Sequence, residues 1–155
     1  MKEIKSATRI YAPIEDIWEK LLNFDQYHTW NHAVKDIHGQ PIRNSLFRLK
    51  LNPEPIKSTH LQTKLIVLES QKELVWSTTY LGINNLFGYQ YYFNLIPKTQ
   101  GRVKLIHGAV FWGFLLPLCW KYISMENRAT LKEANEALRN EVESGIEIES
   151  RSVTE

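Results

Sequence analysis

His107 is the side chain in this sequence best suited to chemistry, because it stands in the run Val103, Leu105, His107, Ala109, Phe111. Alternation at a period of two places those five side chains on one face of a strand. An imidazole among apolar neighbours can act as general acid or base near neutral pH, or hydrogen-bond a ligand carbonyl. It can also be a core histidine satisfied by Asn127 or a tyrosine. The second polar candidate is Asn127. It interrupts a row made by Leu116, Trp120, Ile123, Leu131, Ala134, Leu138 and Val142, whose three- and four-residue steps fall on one helix face. A buried amide left without partners costs about 1–3 kcal/mol, so Asn127 must pair with a protein group or with a bound molecule.

Other chemistries find little support. His28 and His32 are four apart, but no cysteine or carboxylate at metal-ligand spacing accompanies them, so no metal is expected. Glu15, Asp16, Glu19, Glu133 and Glu136 fall on solvated helix faces and form no paired-carboxylate site. There is no Gly-x-Ser-x-Gly elbow, Walker loop or Gly-x-Gly-x-x-Gly turn, and no cofactor is expected. The net charge of +2, carried by scattered basic residues, argues against nucleic acid. The single cysteine, Cys119, reads as a buried thiol suited to a reducing interior. With no apolar leader at the N-terminus, a cytoplasmic location is expected. The apolar stretch from Leu105 to Trp120 is shorter than the ~20 residues of a spanning helix. A transmembrane segment is therefore rejected. Peripheral membrane contact is not, because Phe111, Trp112, Phe114 and Leu115 could form an exposed apolar cluster. Nothing in the sequence sets the oligomeric state.

The elements that must position these residues follow from pattern. Ile4, Ser6, Thr8 and Ile10 alternate on a first strand, which Ala12-Pro13 ends. Ile14, Ile17, Trp18, Leu21 and Leu22 then repeat at helical spacing, and Phe24, Tyr27 and Trp30 suit a second short helix. From Ala33 the chain reads as about six strands separated by turn signals at His38-Gly39, Arg43-Asn44, Asn52-Pro53-Glu54-Pro55, Gln71-Lys72, Gly82 to Asn85 and Pro97 to Gly101. Short connections favour antiparallel pairing. The expected class is α+β: a curved antiparallel sheet of about seven strands around a long C-terminal helix, with two short helices after the first strand. Residues 1–146 read as one domain and 147–155 as a polar tail.

Several segments together resemble the START-like, helix-grip superfamily of polyketide cyclases and dehydrases, plant hydrophobic-ligand carriers and lipid-transfer domains. Ala12 to Trp18 resembles that superfamily's entry into its first helix, and Tyr27 to Asn31 its segment ending in a tryptophan. Leu74-Val75-Trp76 resembles its central strand, and Tyr92 to Pro97 followed by Gly101 its penultimate hairpin. Phe111 to Leu118 leading to Asn127 and Leu131-Lys132 resembles its passage into the long helix. The sequence departs from the pattern at Asn44-Ser45, where many relatives carry a glycine, and at His32, where a proline is frequent.

The resemblance implies a pocket between the concave face of the sheet and the inner stripe of the helix. Alternation then nominates its lining: Leu105, His107 and Phe111; Trp76 with Thr78 and Tyr80; Phe93 with Tyr89 and Tyr91; and Trp30, Trp120, Ile123 and Asn127 from the helices. Such a lining suits a planar or sterol-like molecule. The expected function is binding or transport of a hydrophobic small molecule such as a lipid, sterol, quinone or polyketide. The alternatives are a cyclase or dehydrase in which His107 moves a proton, and a module that docks on a membrane or a protein.

Overall fold

A computed structural model describes residues 1–52 and 61–152. The chain runs β1 (Lys2–Ile10), α1 (Ile14–Leu22), a 3-10 turn (Phe24–Gln26), α2 (Tyr27–Trp30), β2 (Val34–His38), β3 (Leu46–Leu51) and β4 (Leu61–Glu69). It continues through β5 (Glu73–Thr79), a second 3-10 turn (Tyr80–Gly82), β6 (Gly88–Pro97) and β7 (Val103–Trp112) to α3 (Leu116–Ser152). The strands form one antiparallel sheet in the order β1-β7-β6-β5-β4-β3-β2, curled into a half-barrel. From β2 to β7 each strand pairs with the next. The helical segment between β1 and β2 carries the chain from one edge of the sheet to the other.

Local sequence explains the elements. In α1, Pro13 at the N-cap needs no donor, Glu15 and Asp16 face the positive helix end, and Ile17, Trp18 and Leu21 turn inward. Register shifts between Val34 and Asp36 and between Leu65 and Val67 mark irregularities of the kind that bends a sheet. Asn44 adopts a left-handed φ of 66°, and its N–H donates to the Leu65 carbonyl at 2.7 Å. Asparagine tolerates that conformation better than most residues, so it can stand where a glycine would otherwise be expected. The turn signal at residues 52–55 lies for the most part outside the described residues.

The face of α3 nominated by the sequence is the packed one: Leu116, Leu131, Ala134, Leu138 and Val142 are buried, and Trp120, Ile123 and Asn127 half-buried. The helix lies against β1 and β7, tied to α1 by Lys20 Nζ to Glu141 at 2.8 Å. It does not end at 146, where the polar composition suggests a tail. It continues to Ser152, with Glu149 and Arg151 exposed on its last turns. The physical reason is that Glu and Arg are good helix formers, and an existing helix extends at little cost.

One end of the concave face is filled by aromatic rings. Phe24, Tyr27, Trp30, Phe47, Trp76 and Phe93 pack with neighbouring ring centroids 4.6 to 6.4 Å apart, mostly edge to face or tilted. Tyr27 is fully buried and donates its hydroxyl to the Leu21 carbonyl at 2.7 Å, which anchors the helical elbow to that plug.

Candidate ligand-binding site

Beyond the aromatic plug the sheet and α3 separate, leaving a cavity of about 710 Å3. That lies within the range of small-molecule sites. Trp76 belongs to both regions: one part of its ring packs in the plug, and it also lines the cavity, stacked on Tyr91 at 5.1 Å and 16°. Strand register explains the grouping. Trp76 pairs with Tyr91, Thr78 with Tyr89, and Tyr89 with Phe111, so all five side chains share one face of three adjacent strands. Tyr80 lines the cavity from the 3-10 turn after β5, and Ile123 and Asn127 close it from α3.

The other nominated residues lie elsewhere. Trp30, Phe93, Leu105 and His107 face the same side of the sheet but are buried in the core. Trp120 packs edge-on to Phe111, with Lys2 Nζ 4.8 Å from the centroid of one of its rings. His107 stacks on Phe93 at 4.3 Å and meets Tyr91 edge-on at 4.7 Å. Its amide partner is Asn135, with Nδ1 and Asn135 Oδ1 2.8 Å apart. Asn127 does not take that role; it donates Nδ2 to the Ile123 carbonyl one turn back, at 2.8 Å. Burial pushes the His107 imidazole down to about 3, against the smaller upward pull of the Asn135 bond. At neutral pH the ring is uncharged.

Sequence reasoning missed the far wall and the flanks of α3. Val34, Leu49, Leu51 and Leu61 come from β2, β3 and β4, while Leu118, Cys119, Tyr122 and Glu126 widen the helical wall beyond the central stripe. Alternation in Phe47, Leu49 and Leu51 was the available signal for the first group. Cys119 is half-buried, and its thiol lies 3.2 Å from the Leu115 carbonyl.

The polar groups of the cavity are sparse. Thr78 Oγ1 lies 2.9 Å from Thr63 Oγ1, and the Tyr91 hydroxyl accepts from Asn31 Nδ2 at 3.4 Å. Trp76 Nε1 and the Tyr89 hydroxyl are buried without a hydrogen-bond partner among the described residues. Burial pushes the Tyr89 phenol up to about 12, opposed by the nearby Thr78 hydroxyl, and burial likewise raises Tyr91. Both phenols therefore stay protonated at neutral pH. Glu126 is the one formally charged residue among the described lining. No group of three His, Cys, Asp or Glu among the described residues could hold a metal ion.

One side of the cavity is bordered by the start of α3, which contributes Leu115 and Leu118, and by the segment between β5 and β6, which contributes Tyr80 and Phe87. Trp112 Nε1 donates to the Asn84 carbonyl at 2.9 Å, Phe114 N–H to Asn85 at 2.9 Å and Leu115 N–H to Leu86 at 3.1 Å. Gly113 between them has φ 118°, and a Cβ there would meet the Leu86 carbonyl oxygen at 2.5 Å. The apolar cluster expected at this junction divides: Phe111 is buried and Trp112 and Leu115 half-buried, whereas Phe114 is 80% exposed. Leu118, Tyr122, Met125, Leu81 and Ile83 are exposed as well. No helix among the described residues is long and apolar enough to cross a membrane.

This curled sheet closed by a long C-terminal helix is a START-like fold, and solved structures share it. A START superfamily protein from Mycobacterium smegmatis superimposes with a TM-score of 0.68 at 17% identity, over 92% of this chain and 97% of that one. A hypothetical protein, jhp0584 from Helicobacter pylori, gives 0.75 at 8% identity over 91% and 88%. DynU16, a protein in the dynemicin biosynthetic locus, gives 0.70 at 12% over 94% of this chain and 48% of that one. At these identities the likeness is one of fold. No family model matches the sequence, and no curated protein matches it.

Proposed function

We propose that this chain binds and carries a hydrophobic small molecule, such as a lipid, sterol, quinone or polyketide, in the cavity between sheet and α3. The observation that carries the reading is the incomplete filling of the concave face: aromatic rings plug one end, and an apolar cavity of about 710 Å3 occupies the other. Burial of ligand surface, at about 25 cal/mol per Å2, would supply the affinity. Native mass spectrometry and organic extraction of the freshly expressed protein test it. The expected result is a co-purifying apolar molecule, lost in the cavity-filling variant Ile123→Trp; equal binding by that variant would place the ligand elsewhere. The carrier reading is preferred to a cyclase or dehydrase because His107 lies outside the cavity lining and is a weak base at about 3.

A second reading, contact with a membrane surface, is favoured by the exposed Leu118 and Tyr122, which also line the cavity, and by the exposed Phe114 next to lining residue Leu115. A bilayer is the natural source of an apolar cargo, and docking this side of the cavity on it would spare the cargo passage through water. Co-sedimentation with phosphatidylcholine vesicles should fall in Phe114→Ser/Leu118→Ser; unchanged binding would dismiss the contact.

A further inference from the structure

Resting on the carrier reading, we propose that the cargo is an uncharged molecule bearing a hydrogen-bond-accepting oxygen, of ketone or quinone type, seated against Trp76 and Tyr89. Both side chains line the cavity, and both have a buried polar hydrogen without an acceptor among the described residues. An indole N–H can only donate, and the raised Tyr89 phenol remains a donor at any physiological pH. Trp76 lies opposite Tyr91 and Tyr89 opposite Thr78, so the two donors occupy diagonal positions on adjacent strands of the cavity's sheet wall. The neighbouring polar atoms do not compensate them. Thr78 pairs with Thr63 and lies near Tyr89 without a hydrogen bond of good geometry to its hydroxyl, and the Tyr91 hydroxyl, which accepts from Asn31, takes neither donor. Buried donors left unpaired are unfavourable, and a ligand oxygen at this wall would satisfy them.

Charge selects against an acid as the source of that oxygen. The described lining contains no lysine, arginine or histidine, and its one charged residue, Glu126, would repel a carboxylate. A helix N-terminus can substitute for a cation where its amides are free. At the start of α3 they are not: Leu116 N–H is bonded to Gly113, Leu118 N–H to Leu115, and Pro117 has none. A desolvated carboxylate would therefore find no counter-charge among the described lining residues, whereas a neutral carbonyl needs none.

The test is a matched series of 2-acetonaphthone, 2-ethylnaphthalene and 2-naphthoate, titrated calorimetrically at pH 7 into wild type, Tyr89→Phe and Trp76→Phe. The ketone is expected to bind about three- to tenfold more tightly than the hydrocarbon, the worth of one net hydrogen bond, and more tightly than the acid. In each variant the ketone-to-hydrocarbon ratio should move toward one; Tyr89→Phe keeps the test open if Trp76→Phe fails to fold. Equal affinity of ketone and hydrocarbon in wild type overturns this inference and leaves the carrier reading standing. Preference for naphthoate overturns the uncharged cargo. Binding of none of the three overturns the carrier reading and this inference with it.

Discussion

His107 should make the fold acid-sensitive in a window where carboxylates contribute little. The imidazole titrates near 6.5 when unfolded and near 3 in the native state, because its fully buried ring is costly to charge. Between those values the unfolded chain binds more protons than the native one. The stabilisation is therefore complete above about 6.5 and is lost as the pH falls toward 3. At pH 5 the unfolded ring is one and a half units below its pKa, and at ~1.36 kcal/mol per unit the loss is about 2 kcal/mol. The carboxylates held low, Glu3 by the Tyr92 hydroxyl and Glu69 by Lys72, weaken the fold only as the pH drops below about 4.5. Urea unfolding at pH 7 and pH 5, in wild type and His107→Gln, isolates the effect as a difference of differences. Glutamine keeps an amide for Asn135 and removes the titration. Wild type should lose about 2 kcal/mol more than the variant between the two pH values. Equal losses would mean that the ring is hydrated or charged in the native state, and the reasoning from burial would be wrong.

Substitutions along α3 should separate its two halves. Leu138→Ala, in the closed core, should cost about 3 kcal/mol, whereas Ile123→Ala, which faces space already empty, should cost about 1 kcal/mol by the same urea measurement. Gly113→Ala should lower stability by about 2 kcal/mol, because the new Cβ meets the Leu86 carbonyl oxygen and the φ is unfavourable for a side chain. At Asn44, alanine should cost about 1 kcal/mol and glycine close to nothing, read as shifts in thermal midpoint, since only the left-handed backbone distinguishes them.

Much of the architecture was legible because it depends on periodicity. The alternation of Val103 to Phe111, the stripe on α3 and the aromatic elbow each fixed a buried face, and the strand count followed from turn signals. What periodicity leaves open is translation along an axis. Asn127 and Asn135 are both on inner positions of α3, yet they are separated by about 12 Å of helix rise, and only docking on β1 and β7 decides which amide meets His107. The same limit applies to Trp30, Phe93, Leu105 and Trp120, which lie outside the cavity lining, because the sequence does not say where along the concave face the aromatic plug ends and the cavity begins. The alternation of Phe47, Leu49 and Leu51 marks an inward face, but its place as the far wall depends on long-range pairing of β2, β3 and β4, which no local pattern encodes.

The bonds joining Trp112, Phe114 and Leu115 to residues 84–86 have a consequence for ligand exchange under the carrier proposal. They make the β5–β6 segment and the first turn of α3 one moving part, because neither can swing away alone without breaking three hydrogen bonds. If the proposed cargo passes this side of the cavity, its entry and exit would require this joint displacement. Residence time would then be set by the strength of that latch as well as by the grip of the cavity, and two ligands of equal affinity could leave at the same rate despite different contacts within.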